Sequence, residues 1–283
     1  MTLQVAIIAM GEMGAGVARR LSDHGVRVLT NLEGRSAASA GRARAACVEA
    51  VDDDQDLVAG ADFVLSIVPP ARAGDLAQRL LPAIRAANPK LVYVDCNAVA
   101  PKTVRTIAAL FAAAGLSFVD AGVIGGAPVP GGYTPRIYAS GPEAEAFAGL
   151  ARYGLEIPVL SDRVGDASAL KMAYAGTTKG AHAVMISMML GAVRSGVGEA
   201  FAAEMAYSQA GRLEAAVRQM PMVLKKAYRW DGEMEEIARF LEPETGGSRI
   251  FEGAAELYRA LAKDVGEGPG SERLELLGRY SKL

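Results

Sequence analysis

Apolar and polar positions along the first half of the chain follow two alternating rhythms. Short unbroken apolar runs (LQVAII, VRVLT, ADFVLSIV, LVYVD and LSFVDAG) are separated by stretches in which apolar residues recur every three or four positions. Those stretches are the segment from Met13 to His24, an Ala/Arg-rich segment, and the segments after Pro70 and Pro101. Continuous apolar runs suit strands buried on both faces, and parallel strands need a crossover helix between them, so the pattern predicts βαβ units on a doubly wound parallel sheet. Two further strands, RIYAS and EIPVLS, bracket the helical pattern PEAEAFAGLARYG, and the sheet is expected to close near Ser161. Beyond Asp162 the strand signal stops. Asp166 to about Val197 reads as one long Ala/Met-rich helix, followed by further helices, a loop at AKDVGEGPGSE and a terminal helix at LELLGRY. The expected class is α/β: a sheet domain over 1–162, then an all-α domain over 163–283.

Composition narrows this picture. A chain of 283 residues, 51% hydrophobic and 22% charged, is globular and long enough for two domains. Its net charge of −2 provides no basic field, which argues against nucleic acid as a partner. The opening MTLQVAIIAMGEMGAG carries no basic leader and its apolar run stops at a glycine turn, so the expectation is a cytoplasmic protein with no membrane partner. Cys47 and Cys96 form no CxxC and are expected to be reduced packing residues. With His24 and His182 as the only histidines, no metal site is expected.

Chemistry enters at VAIIAMGEMGAGVARRL, where a buried strand runs through glycines into a helix. Free backbone N–H groups and the positive helix end converge there into a cradle for a pyrophosphate. The spacing G-x-G-x-x-G is met by Gly11 and Gly14, with Ala9 in place of the first glycine, so Gly11, Glu12, Met13 and Gly14 are the expected cofactor contacts of a Rossmann-type domain. An ordinary strand, loop and helix packed through glycine is the plainer alternative. The second strand ends in LTNLEGRSAAS. Asn31 stands where an NAD-selective site carries a carboxylate, and Arg35 and Ser36 suit the extra phosphate of NADP. Glu33 can instead take the ribose and favour NAD, and Ser36 can simply cap a helix.

These segments together resemble the β-hydroxyacid dehydrogenase family, which includes 3-hydroxyisobutyrate dehydrogenase and is related to 6-phosphogluconate dehydrogenase. GEMGAGVARRL is similar to the family's G-x-M-G-x-x-x-A-x-x-L, and SIVPP, with Val68 and Pro69, to the strand end beside the nicotinamide. VDCNAVAPKTV resembles D-x-S-T-x-x-P with Asn97 in the serine's place. FVDAGVIGGA resembles the substrate loop D-x-x-V-S-G-G at Asp120, Val123, Gly125 and Gly126, and VGDASALKMAYAGTTKG the helix G-x-G-x-x-x-K-x-x-N-N at Gly165 and Lys171. Five such segments in order are far more specific than one glycine turn. The chain also departs from the pattern: Ile124 replaces the loop serine, Tyr174 and Ala175 replace the two asparagines, and GEMEEIARF puts Glu233 where a substrate-binding lysine is usual.

The resemblance implies that Lys171 is the general acid/base of a hydride transfer, against the plainer possibility that it snorkels to solvent. Desolvation and the nearby helix N-terminus favour a lowered pKa. At about 100° per residue, Lys171, Thr178 and His182 share a stripe with Tyr174 beside it, and Lys179 turns to a flank, where it either binds an anionic tail or is simply a solvated charge. Tyr174 either bonds a substrate oxygen or fills volume left by Ala175; His182 reads as a core histidine. Ile124, Gly125, Gly126, Tyr174, Thr178 and Glu233 are the expected substrate contacts. The expected function is hydride transfer between NADP(H), or NAD(H), and a small hydroxy or oxo compound. The alternatives are an imine reductase, with Glu233 facing an iminium, or a silent NADP-binding scaffold. Met185, Met188 and Met189 fit either the core or a homodimer or higher homo-oligomer formed through the helical domain.

Overall fold

The computed structural model describes residues 3–241, 246–268 and 270–280. The chain forms two compact units, Met1–Met172 and Ala173–Leu283.

In the first unit the elements run β1 (Gln4–Ile8), α1 (Glu12–Ser22), β2 (Arg27–Asn31), α2 (Ala37–Ala45), β3 (Glu49–Val51), α3 (Asp54–Ala59), β4 (Phe63–Ser66), α4 (Ala73–Ala87), β5 (Val92–Asp95), α5 (Pro101–Ala113), β6 (Ser117–Ile124), β7 (Arg136–Ser140), α6 (Ala144–Ala148) and β8 (Val159–Ser161). One sheet holds all eight strands in the order β3-β2-β1-β4-β5-β6-β7-β8. Alternate residues of each strand feed opposite faces. Val5 and Ile7 join a core with residues of α1, α2 and α6, while Ala6 and Ile8 join a second core with residues of α3, α4 and α5. This is the doubly wound architecture expected from the buried runs.

Two strand details differ from expectation. The edge strand β3 and the short helix α3 carry no apolar signature, because EAV faces outward and DQDLVA buries only Leu57 and Val58. The sheet is not wholly parallel either: β7 runs antiparallel to β6 and pairs parallel with β8. Apolar periodicity carries no information on strand direction.

Strand register places a polar row across the carboxyl half of the sheet. Ser66 pairs with Asp95, Asp95 with Asp120, and Asp120 with Ser140, and all four are essentially inaccessible to solvent. Register partners point to the same face, so these side chains line up from β4 to β7.

The remaining elements are helical: α7 (Asp166–Ala175), a π-helical turn (Gly176–Gly180), α8 (Ala181–Arg194), α9 (Gly198–Phe240), α10 (Gly247–Glu267) and α11 (Glu272–Arg279). The division between units falls inside α7 rather than at the end of the sheet, because hydrogen bonds fix the first turn of that helix to β6 and β7. The long helix expected up to Val197 is interrupted by the π turn and ends at Arg194, and α9 breaks at Gln209. α10 continues through AKDVGE, so the expected loop begins only at Gly268. Among the described residues no helix is long and apolar enough to cross a membrane.

Candidate functional site

The glycine turn is shaped by one hard contact. A Cβ on Gly14 would lie 2.0 Å from the Ala9 carbonyl oxygen, so only glycine lets α1 start this close to the end of β1. Gly11, by contrast, faces open space: a Cβ there would meet nothing within 4 Å. Gly11 is also the N-cap of α1 and supplies no side-chain cap, so its first turn opens, uncapped, onto that space. Glu12 and Met13 begin the helix, Glu12 exposed and Met13 half-buried. The bare cradle fits a dinucleotide pyrophosphate, which needs backbone N–H groups and close approach.

Beside it, at the ends of β2 and β4, lies a recess of about 100 Å³ lined by Arg35, Val68, Pro69, Arg72 and Arg79 among others. Arg79 is paired with Asp54 at 3.0 Å and Arg72 reaches Asp75 at 3.8 Å. Arg35 is exposed and, among the described residues, has no carboxylate partner. Asn31 is buried and organises the loop rather than presenting a free amide. Its Nδ2 donates to Asp54 at 3.0 Å and its Oδ1 accepts the Glu33 N–H at 2.8 Å. Ser36 caps α2, accepting the Ser39 N–H at 3.2 Å, which is the plainer of its two expected roles.

Asn97 is likewise turned inward. Its Oδ1 accepts the Val68 N–H at 2.7 Å, its Nδ2 donates to Ser66 Oγ at 2.8 Å, and its own N–H is held by Asp95 at 2.9 Å. It therefore fixes the Val68–Pro69 loop from beneath.

The polar row continues into the start of α7. Asp120 accepts hydrogen bonds from Ser140 Oγ (3.0 Å), the Gly165 N–H (2.8 Å), the Ser168 N–H (3.1 Å) and Ser168 Oγ (2.7 Å), while Ser140 Oγ accepts the Ala167 N–H at 3.0 Å. One turn beyond Ser168, the half-buried Lys171 donates from Nζ to the Val123 carbonyl near the end of β6 at 2.6 Å. The ammonium is thus held at the strand end and does not snorkel. Ile124, half-buried, and the exposed Gly125 and Gly126 come directly after that carbonyl.

Burial pushes the Asp120 carboxyl above its ordinary value, and its hydrogen bonds pull it back only in part. A raised carboxyl pKa stabilises the fold most below the unfolded-state value and loses that contribution as pH rises through the folded-state value. Asp120→Asn keeps one oxygen for three donors and can donate to Ser168. Thermal melts at pH 7 and pH 4 are expected to show a change of no more than about 1 kcal/mol at pH 7, and the variant is expected to lack the gain in stability that protonation of Asp120 gives wild type between pH 7 and pH 4.

Within the second unit the expected stripe is re-phased. The π turn Gly176–Gly180 adds a residue to the helical cycle, rotating the later side chains by roughly 100°. Lys179, expected on a solvated flank, is turned inward into an ion pair with buried Glu233, and its ammonium lies 5.3 Å from the centre of the Trp230 ring. Tyr258 donates to the Lys179 carbonyl at 2.6 Å; burial and the Glu233 charge push its phenol above the usual range. Glu233 is therefore committed to a cation of its own chain, which removes the observation favouring an iminium substrate. The Thr178 hydroxyl is spent on the Tyr174 and Ala175 carbonyls of its own helix. Tyr174 is half exposed and fills no core volume. His182 stacks on Trp230, with ring planes 6° apart, and burial lowers its pKa. Cys96 is buried as expected, whereas Cys47 is exposed in a left-handed bend and packs no core.

Sequence reasoning missed Arg72 and Arg79, which the ends of β4 and α4 bring to the Arg35 recess, and the tie of Asp120 and Ser140 to α7. No spacing in the chain announces either.

The open glycine cradle, the strand-end recess and the fixed lysine define a dinucleotide-binding unit of oxidoreductase type. Residues 4–149 match the NAD binding domain of 6-phosphogluconate dehydrogenase, and residues 192–261 match a domain of unknown function, DUF1932. The chain is 32% identical to the conserved protein MTH1747 of unknown function, whose structure reveals similarity with 3-hydroxyacid dehydrogenases; the match covers 95% of this chain and 100% of that one, with a TM-score of 0.66. It is 29% identical over 186 residues to an uncharacterized 28.5 kDa protein of Methanothermus fervidus, covering 66% and 69% of the two chains. The 3-hydroxyisobutyrate dehydrogenase of Mycobacterium tuberculosis with L-serine shares the fold, with a TM-score of 0.70 at 19% identity over 93% of this chain and 95% of that one. The chain belongs to the β-hydroxyacid dehydrogenase-like family, as a divergent NAD(P)-dependent oxidoreductase.

Proposed function

We propose that the protein transfers hydride between NADP(H) and a small hydroxy or oxo compound bearing a carboxylate, with Lys171 as general acid/base. The observation that carries this is the Lys171 ammonium held 2.6 Å from the Val123 carbonyl, at a strand end in the same unit as the open glycine cradle. Gly11, Glu12, Met13 and Gly14 would hold the pyrophosphate on their backbone, and Val68 and Pro69, braced by Asn97, would flank the cofactor. A bound nicotinamide supplies the hydride acceptor or donor. In oxidation the neutral Lys171 amine takes the hydroxyl proton as that hydride leaves the carbinol carbon; in reduction the ammonium returns a proton to the forming alkoxide. The carbonyl of Val123 orients Nζ for both directions.

The preference for NADP rests on Arg35, unpaired among the described residues and sharing its recess with Arg72, at a strand end where Asn31 stands in the usual carboxylate's place with its amide engaged by Asp54. A guanidinium fork suits a phosphate monoester. Self-association through the helical unit belongs to the same reading, supported by the exposed apolar side chains of Val184, Met188 and Tyr207.

Fluorescence titration with NADPH and NADH, followed by turnover on hydroxy acids and their keto forms, tests the proposal. NADPH is expected to bind at least about tenfold more tightly than NADH, and Arg35→Gln to erase most of that gap while sparing NADH. Failure of both dinucleotides to bind at micromolar concentration overturns it.

A further inference from the structure

The end of β6 meets a second side-chain donor. At Gly125 the backbone has φ +132°, a conformation that suits glycine, and a Cβ built there would lie 1.9 Å from the phenol oxygen of Tyr133 and 3.1 Å from Pro135 Cβ. The tip of Tyr133 is thus seated directly on the Gly125 backbone, two residues beyond the Val123 carbonyl that holds Lys171.

The loop that delivers Tyr133 is fixed. The Val129 N–H donates to the Tyr133 carbonyl at 2.8 Å, the Gly132 N–H donates to the Val129 carbonyl at 3.0 Å, and Arg20 of α1 donates to the Gly132 carbonyl at 2.6 Å. The residue is nevertheless 53% exposed, and none of the described residues hydrogen-bonds its hydroxyl. Next to it, Thr134 buries a hydroxyl oxygen with no protein partner among the described residues. A buried polar atom left so costs about 1–3 kcal/mol unless water or a ligand meets it. Two unspent hydroxyls therefore lie just beyond a strand end whose own side chain, Ile124, offers no polar atom.

We propose that Tyr133 binds the substrate's carboxylate, its phenol O–H donating to a carboxylate oxygen while Lys171 serves the reacting hydroxyl or carbonyl oxygen. The proposal rests on the hydride-transfer reading for the role of Lys171 and deepens it by naming the side chain that holds the substrate's carboxylate. Ile124 leaves the anchoring contact to a side chain from across the loop, so a substrate lacking a carboxylate loses that contact.

Malonate, which carries carboxylates and nothing to oxidise or reduce, separates the two ideas. Isothermal titration of malonate into the full chain, with and without NADP+, is expected to show binding to wild type and an affinity about tenfold weaker for Tyr133→Phe. The same factor is expected in a Lys171→Gln background, with the NADPH affinity unchanged throughout. No malonate binding by wild type, or a Tyr133→Phe affinity within twofold of wild type, overturns the assignment. Loss of turnover on every hydroxy acid with the malonate difference intact would count against the hydride reading and leave the carboxylate contact standing.

Discussion

Lys171→Ala is expected to lower kcat by about 10²–10⁴-fold while leaving the NADPH affinity within twofold, because a positioned acid/base contributes that much to a proton transfer and the cradle at Gly11–Gly14 does not involve this side chain. Stopped-flow measurement of NADPH oxidation under saturating substrate checks it. The sharper comparison is Lys171→Arg. A guanidinium can still donate to the Val123 carbonyl now bonded by Nζ, but it does not release a proton in the physiological range. Lys171→Arg should therefore stay as slow as Lys171→Ala. Recovery of more than a tenth of wild-type kcat would mean that Lys171 contributes charge alone.

The second large effect is on stability. Lys179→Met should destabilise the helical unit by about 3–5 kcal/mol, because it takes the Lys179 cation away from the buried Glu233 carboxylate. In a chain of this size that corresponds to a fall in Tm of roughly 6–20 °C. The double variant Lys179→Met/Glu233→Met removes both charges from a pocket already lined by Trp230 and Tyr258, and should recover most of the loss. Melting curves of the single and double variants decide this. If the double variant melts as low as the single one, the effect comes from lost packing of the lysine stem and not from the broken charge pair.

Both effects attach to one helical path, Asp166–Arg194, which the sequence shows as continuous and the structure divides. Lys171 precedes the π turn, so the helix that carries it follows ideal phase and its place one turn beyond Ser168 agrees with simple counting. Lys179 lies in the π turn, and there counting fails. An inserted residue costs little in local propensity but rotates every later side chain, and so Thr178 and Lys179 differ from the roles their spacing implied.

The glycine turn shows the same division at smaller scale. Gly14 was legible because strand, glycine and helix occur together in the chain. That Gly11 opens on empty space, or that Asn31 and Asn97 turn their amides inward, depends on Asp54 and Ser66, residues brought up by other elements.

The sequence by itself determined the doubly wound sheet followed by helices, the dinucleotide cradle and the family to which the chain belongs. Each of these is written in local patterns: apolar runs long enough to be buried on both faces, glycines where backbones approach, and motif segments kept in order. Only the tertiary structure decided the antiparallel entry of β7, the polar row from Ser66 to Ser140, the anchoring of α7 by Asp120, and the three arginines around one recess. These are pairings between residues distant in the chain, set by strand register and helix packing, and a one-dimensional pattern holds no record of which partner a buried carboxylate or an exposed guanidinium meets.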